Sequence, residues 1–394
     1  MDQALFGYAI PAIMSEFKIG ISTIGVILSV SFVFSALSVV VIGLLTDQIG
    51  RRKAFVGCLA ISAVLVGCQY WAATLAALVI LRTASFGVSS GLSPITNTYT
   101  VEAAPPRYRG ILTGVLQCGT PIGWFLASLV AVPLLKSYGW RAMFLPAFAV
   151  SPLALLLYRY LPESKRFEKR RHTSAGAGER NSRSGGALKA IAELFKPHLF
   201  RRTVCCFLAF FMFGGAYSGT AFYFPKFFSE VRGYSEAEAT MRVGLSYGIG
   251  VIGYVVASLI GEFRLTRRNT VVIWVSTGSL AFLGVTWLST SYWSGVFWFG
   301  LMTMFFYGTS AVSTTLATEI FPTKVRATGA AFSASFALYL GFAVFPVLMA
   351  RAIGAWGWLW AFTFIGAPPL LLCALFTLAL PNLPSGVDVD DLLA

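Results

Sequence analysis

Arg82 stands deep inside an apolar run that spans 75–100. A charge at mid-bilayer costs about 2.5–3.5 kcal/mol on insertion scales, so a guanidinium there must be compensated. It either faces a cavity or an acidic partner, which suits an anion site, or it hydrogen-bonds to backbone carbonyls and is structural. Asp2, in the apolar run 2–17, is an acid able to carry a proton. A guanidinium can grip a carboxylate through two parallel hydrogen bonds, so Arg82 suits the carboxylate of a small organic anion. Gln117, Tyr217, Tyr223 and Tyr307 lie in other apolar runs and offer hydrogen bonds or stacking surface. The plainer alternatives are a Gln that links two helices and tyrosines that pack.

Other chemistry is poorly represented. Gly87, Ser89 and Gly91 spell GxSxG, but that motif needs a strand-turn-helix setting and a histidine partner. The two histidines, His172 and His198, both fall in a basic stretch between apolar runs. Six cysteines lie in or beside apolar runs with no CxxC spacing and read as small core residues. No metal-ligand cluster, phosphate loop or credible triad is present, so we expect no enzyme activity, no cofactor and no metal.

The elements that must carry these residues are membrane helices. Hydrophobic residues make up 57% of the chain and charged ones 12%, against roughly 25% charged in an ordinary soluble domain. Windows of about 20 apolar residues give twelve segments, from 2–17 to 356–380. The polar stretch 162–202 divides them six and six. We therefore expect a bundle at 1–161, a basic linker at 162–202, a second bundle at 203–380 and a tail at 381–394. The first segment has 16 residues, about 24 Å as a helix and short of a core of about 30 Å, so the first helix is expected to be truncated.

The net charge of +14 would suggest nucleic acid in a soluble protein, but its distribution gives topology instead. Loops on one side hold 22 Lys and Arg residues, against seven on the other. By the positive-inside rule the rich side is cytoplasmic in an inner or plasma membrane, with both termini there. A cysteine introduced at Ser182 should accordingly be labelled from the cytoplasmic side only, and one at Ser137 from outside only. Outside labelling at Ser182 would reverse the orientation.

The chain also repeats itself. Glu102, Pro105, Arg107 and Arg109 spell ExxPx(K/R)xR, and so do Glu319, Pro322, Lys324 and Arg326, 217 residues later. Each copy sits between two membrane-length runs, as in a duplicated transporter. Between the second and third runs, Gly43, Asp47, Gly50, Arg51 and Arg52 form GxxxDxxGRR. This resembles the cytoplasmic signature of the major facilitator superfamily. The resemblance covers the whole chain and implies that Asp47, Arg51 and Arg52 brace a cytoplasmic gate, joined by Glu102, Arg109, Glu319 and Arg326 of the repeated string. The second half holds only a degenerate copy of the brace, Glu262 with Arg267 and Arg268.

Pro162, Glu163, Ser164 and Arg166 resemble the PESxR string of the sugar-porter, organic-ion and aromatic-acid branches. The sugar-porter QQxSG string is absent from segment seven. Asp2, nine residues before Pro11, matches the second acid of the DGxD motif of aromatic-acid proton symporters. Facilitators resembling this one carry a substrate-contacting or proton-coupling Arg in helix four, the place of Arg82, and sugar porters place a cavity Gln of helix five eight residues after the repeated string, the place of Gln117. Trp124 stands where the antiporter motif has Pro, a departure from drug efflux.

The expected fold is an all-α membrane protein of twelve helices in two six-helix bundles, with helices one, four, seven and ten around a central cavity. The expected function is proton-coupled uptake of an organic anion such as an aromatic carboxylate, by alternating access. Its partners would be a small-molecule substrate, protons and the bilayer, with no nucleic acid, and the protein a monomer. Proton-driven efflux is the alternative, favoured by a mostly aromatic cavity with Asp2 as its only acid; a sugar carrier and a non-transporting sensor rank behind.

Overall fold

The computed structural model describes residues 2–103, 109–163, 191–322 and 325–383. Most of the linker, including His172, and residues 384–394 lie outside that description, as do Pro105, Arg107 and Lys324. So do the side chains of Asp47, Glu102 and Arg109.

The described residues form helices and no strand. The first half runs α1 (Asp2–Phe17), α2 (Ile21–Ile49), α3 (Arg51–Cys68) and α4 (Leu75–Ser90, continued as Leu92–Ala103). It continues through α5 (Arg109–Gln117, then Gly119–Tyr138) and α6 (Trp140–Ala149 in 3-10 form, then Val150–Tyr160). The second half runs α7 (Pro197–Ala221, then Phe224–Arg232), α8 (Glu236–Phe263), α9 (Arg267–Leu283) and α10 (Tyr292–Phe305, then Ser310–Glu319). Beyond it, α11 starts at Arg326, passes through a π turn at Ala331–Phe336 and enters the long helical stretch Ala337–Leu378, which breaks at Gly357 to begin α12.

Ten of these stretches are long and apolar enough to cross a membrane. The last of the ten, Thr328–Leu378, contains the Gly357 break and so provides two crossings. With the shorter α1 this makes twelve helices in two sets of six. Leu37, Val40, Leu44 and Ile80 are each more than 60% exposed, the apolar outer surface that a bilayer covers.

The duplication is visible in the backbone. Gly139 ends α5 with φ 79° and ψ 173°, and Gly357 ends α11 with φ 74° and ψ 172°. Side chains rarely adopt such angles, so each turn requires glycine. A Trp follows each one, Trp140 and Trp358. The same turn therefore joins the fifth helix to the sixth in both halves.

The halves meet along two helix pairs, α2 with α11 and α5 with α8. Both contacts depend on glycine. A methyl group on Gly25 would lie 2.8 Å from the Pro346 carbonyl oxygen, and one on Gly244 would lie 1.8 Å from Ser128 Oγ. Small residues let helix backbones approach where lipid supplies no hydrophobic drive between them.

Candidate functional site

Arg82 has an acidic partner. Its Nη1 lies 2.7 Å from Asp2 Oδ1, joining α4 to the first turn of α1. Phe6 and Phe86 place their rings 4.5 and 4.7 Å from the guanidinium carbon, so the cation sits between aromatic faces. Arg82 is 1% exposed and Asp2 is 16% exposed, which sets the carboxylate between the buried cation and open space. Ser89 Oγ donates to Asp2 Oδ2 at 3.4 Å, while Arg82 Nε is buried with no hydrogen-bond partner. Neither a ring of backbone carbonyls nor direct cavity exposure compensates this arginine; a carboxylate and two phenyl faces do.

Asp2 lines a cavity of about 520 Å³. Gln117 lines it too, with Gln3, Ser62, Ser89, Ser93, Thr96 and Thr120 as further polar neighbours. Among the described residues, Asp2 is the one acid on its wall and Trp124 the one aromatic. The wall comes from α1, α3, α4, α5 and α6. An aromatic layer runs from Trp124 of α5 into the second half. Trp124 stacks on Tyr247 with centroids 4.6 Å apart, Tyr247 stacks on Tyr307, and Tyr217 meets Tyr307 edge-on at 5.0 Å.

Tyr217 and Tyr307 therefore belong to this aromatic layer and lie off the cavity wall. Tyr223 is a link between helices: its hydroxyl donates to the Pro346 carbonyl at 3.0 Å. The sequence offered no sign of that, because the partner is 123 residues away.

On the face where the basic loops gather, each half has its own fastening. In the first half, Glu163 Oε1 accepts from the backbone N–H of Arg51 at 3.0 Å and of Arg52 at 3.3 Å. A carboxylate at a helix N-terminus satisfies orphan donors and opposes the positive end of the dipole. Glu163 thus ties the end of α6 to the start of α3. Arg52 packs over the Tyr158 ring at 4.0 Å and donates to the Tyr158 carbonyl, and Tyr99 donates to the Pro162 carbonyl.

In the second half, Arg267 bridges two acids, with Nη1 2.5 Å from Glu319 Oε1 and Nη2 2.7 Å from Glu262 Oε2. The degenerate copy of the brace is therefore a complete charge triad joining α8, α9 and α10. Arg326 Nε donates to the Phe321 carbonyl at 3.2 Å. Glu163, Glu262 and Arg267 were in view in the sequence as parts of strings, without assigned partners.

Residues 1–338 match the family model of the Major Facilitator Superfamily. The chain belongs to that superfamily. Within it, a candidate niacin/nicotinamide transporter of Bacillus subtilis (strain 168) is 27% identical over 342 residues, 85% of this chain and 81% of the relative. The cis,cis-muconate transport protein of Acinetobacter baylyi is 26% identical over 329 residues, 83% of this chain and 78% of the relative. The crystal structure of a D-xylose-proton symporter superposes with a TM-score of 0.73 at 18% identity, covering 98% of this chain and 96% of the symporter. At that identity the superposition speaks for the fold alone.

Proposed function

We propose that this facilitator takes up a small organic anion, an aromatic or other carboxylate, with a proton. The observation that carries the reading is the buried Asp2–Arg82 pair with its carboxylate on the cavity wall. Protonation of Asp2 removes its charge and leaves Arg82 as a cation without a counter-ion in a place where that is costly. A substrate carboxylate entering at Asp2 restores neutrality, so proton and anion bind as a set. Loss of the proton on the far side returns Asp2 to Arg82 and expels the anion. Neither partner then moves efficiently without the other.

Niacin and muconate, the cargoes in the relatives' names, include carboxylates, which agrees with this chemistry. The efflux alternative called for a mostly aromatic cavity, and among the described residues of this wall Trp124 is the one ring. Alternating access would rock 1–161 against 203–380, with the linker 162–202 on the cytoplasmic face and the charged fastenings biasing one access state.

The experiment is uptake of labelled nicotinate, benzoate, muconate and xylose by proteoliposomes with and without an imposed pH gradient. Accumulation of an acid only with an inward proton gradient is expected. Asp2→Asn, which mimics a permanently protonated residue, should keep anion exchange across the membrane but lose gradient-driven accumulation. Gradient-driven uptake by Asp2→Asn at the wild-type level would remove Asp2 from the proton path.

A further inference from the structure

Trp124 is where the cavity of the first half meets the second half. Its indole lines the cavity, is 2% exposed, and lies face to face with Tyr247 of α8, the planes only 6° from parallel. Edge-on or offset contacts are the usual choice of aromatic pairs. The neighbouring rings meet at varied angles: Tyr8 meets Trp124 at 87°, Tyr217 meets Tyr307 at 68° and Tyr247 meets Tyr307 at 25°. The near-parallel, offset Trp124–Tyr247 pair has the geometry in which a planar ring is held. Its far side is polar, where the hydroxyls of the buried Tyr247 and Tyr307 lie.

The backbones of α5 and α8 lie close together beside the pair. Gly244 and Gly248 of α8 face Ser128 and Phe125 of α5, and neither glycine puts a side chain into the opposing helix. Moving α5 away from α8 opens the Trp124 face without withdrawing a side chain at these two positions. Gln117, seven residues before Trp124, lies on the same cavity wall as Asp2. Trp124 and Asp2 line the same cavity, so a ring against Trp124 shares that space with the Asp2 carboxylate.

We infer that Trp124 is the stacking plane for the aromatic ring of the transported acid, and that Tyr247 occupies this plane when no ring is bound. The assignment makes Trp124 a specificity residue that selects planar over saturated acids, and it rests on the carboxylate transport proposed above.

Benzoate and cyclohexanecarboxylate have the same charge and nearly the same size but differ in planarity, so their affinities for the purified full chain test the plane. Wild type should bind benzoate about tenfold more tightly, the scale of a favourable ring stack. Trp124→Phe should keep most of that preference, and Trp124→Leu should lose it. Independently, Tyr247→Leu should tighten benzoate binding several-fold while leaving the saturated acid unchanged, because it removes only the occupant of the plane. An undiminished preference in Trp124→Leu, or equal changes for both acids in Tyr247→Leu, would overturn the stacking plane. Binding of both acids by wild type without preference would overturn it alone, whereas binding of neither would overturn the carboxylate reading beneath it.

Discussion

Arg82→Ala should abolish gradient-driven uptake of the organic acid while leaving a folded protein in the membrane. Arg82 is the cation that Asp2 and the substrate would share in turn, so its loss removes the anion's partner altogether. Truncating one member of a buried charge pair costs roughly 2–5 kcal/mol, much of it from the charge left behind. Here the remaining charge is Asp2, which sits on a cavity wall and is not sealed in the interior. It can relieve its isolation by taking a proton, and the removal of an intramembrane arginine also lifts its insertion cost. Binding should therefore fall at least 30-fold, since about 1.4 kcal/mol is a factor of ten.

Arg82→Lys discriminates further. An ammonium can pair with Asp2, but it cannot make two hydrogen bonds in one plane or lie flat between Phe6 and Phe86. It should retain stability and lose most substrate affinity. The checks are substrate binding and thermal unfolding of the purified variants. Full binding by Arg82→Ala would eliminate the anion role, and unfolding of both variants would make Arg82 a structural residue only.

What the sequence could disclose about this site follows from distance along the chain. Periodicity and hydropathy place Arg82 in the membrane and demand a partner, but not which acid, because Asp2 lies 80 residues away and meets it only through the packing of α1 on α4. The duplication was legible at both levels, since the repeated ExxPx(K/R)xR string and the paired glycine turns at Gly139 and Gly357 are local features. Glu163 is the opposite case. A carboxylate that caps a helix starting 112 residues earlier leaves no periodic trace. Trp124 was visible only as a departure from an antiporter motif, and its contact with Tyr247 depends on how closely α5 and α8 approach.

The Arg267 triad should be the larger stability determinant. Arg267 is 9% exposed, and its two partners, Glu262 and Glu319, are 19% and 32% exposed. Arg267→Ala leaves two partly buried carboxylates on α8 and α10 that one guanidinium had held. Breaking a buried pair from one side costs about 3–5 kcal/mol, and the partial exposure of the glutamates favours the lower end. The unfolding temperature should drop by several degrees, and turnover should fall more than affinity, because no member of the triad is among the residues lining the cavity. Replacing the acids separates charge repulsion from lost bonding. If the stranded carboxylates cause the deficit, Arg267→Ala with Glu319→Gln should be more stable than Arg267→Ala alone, although it has lost one more charged group. A double variant no more stable than the single one would show that the guanidinium acts through packing, and the triad would then have no part in biasing the access state.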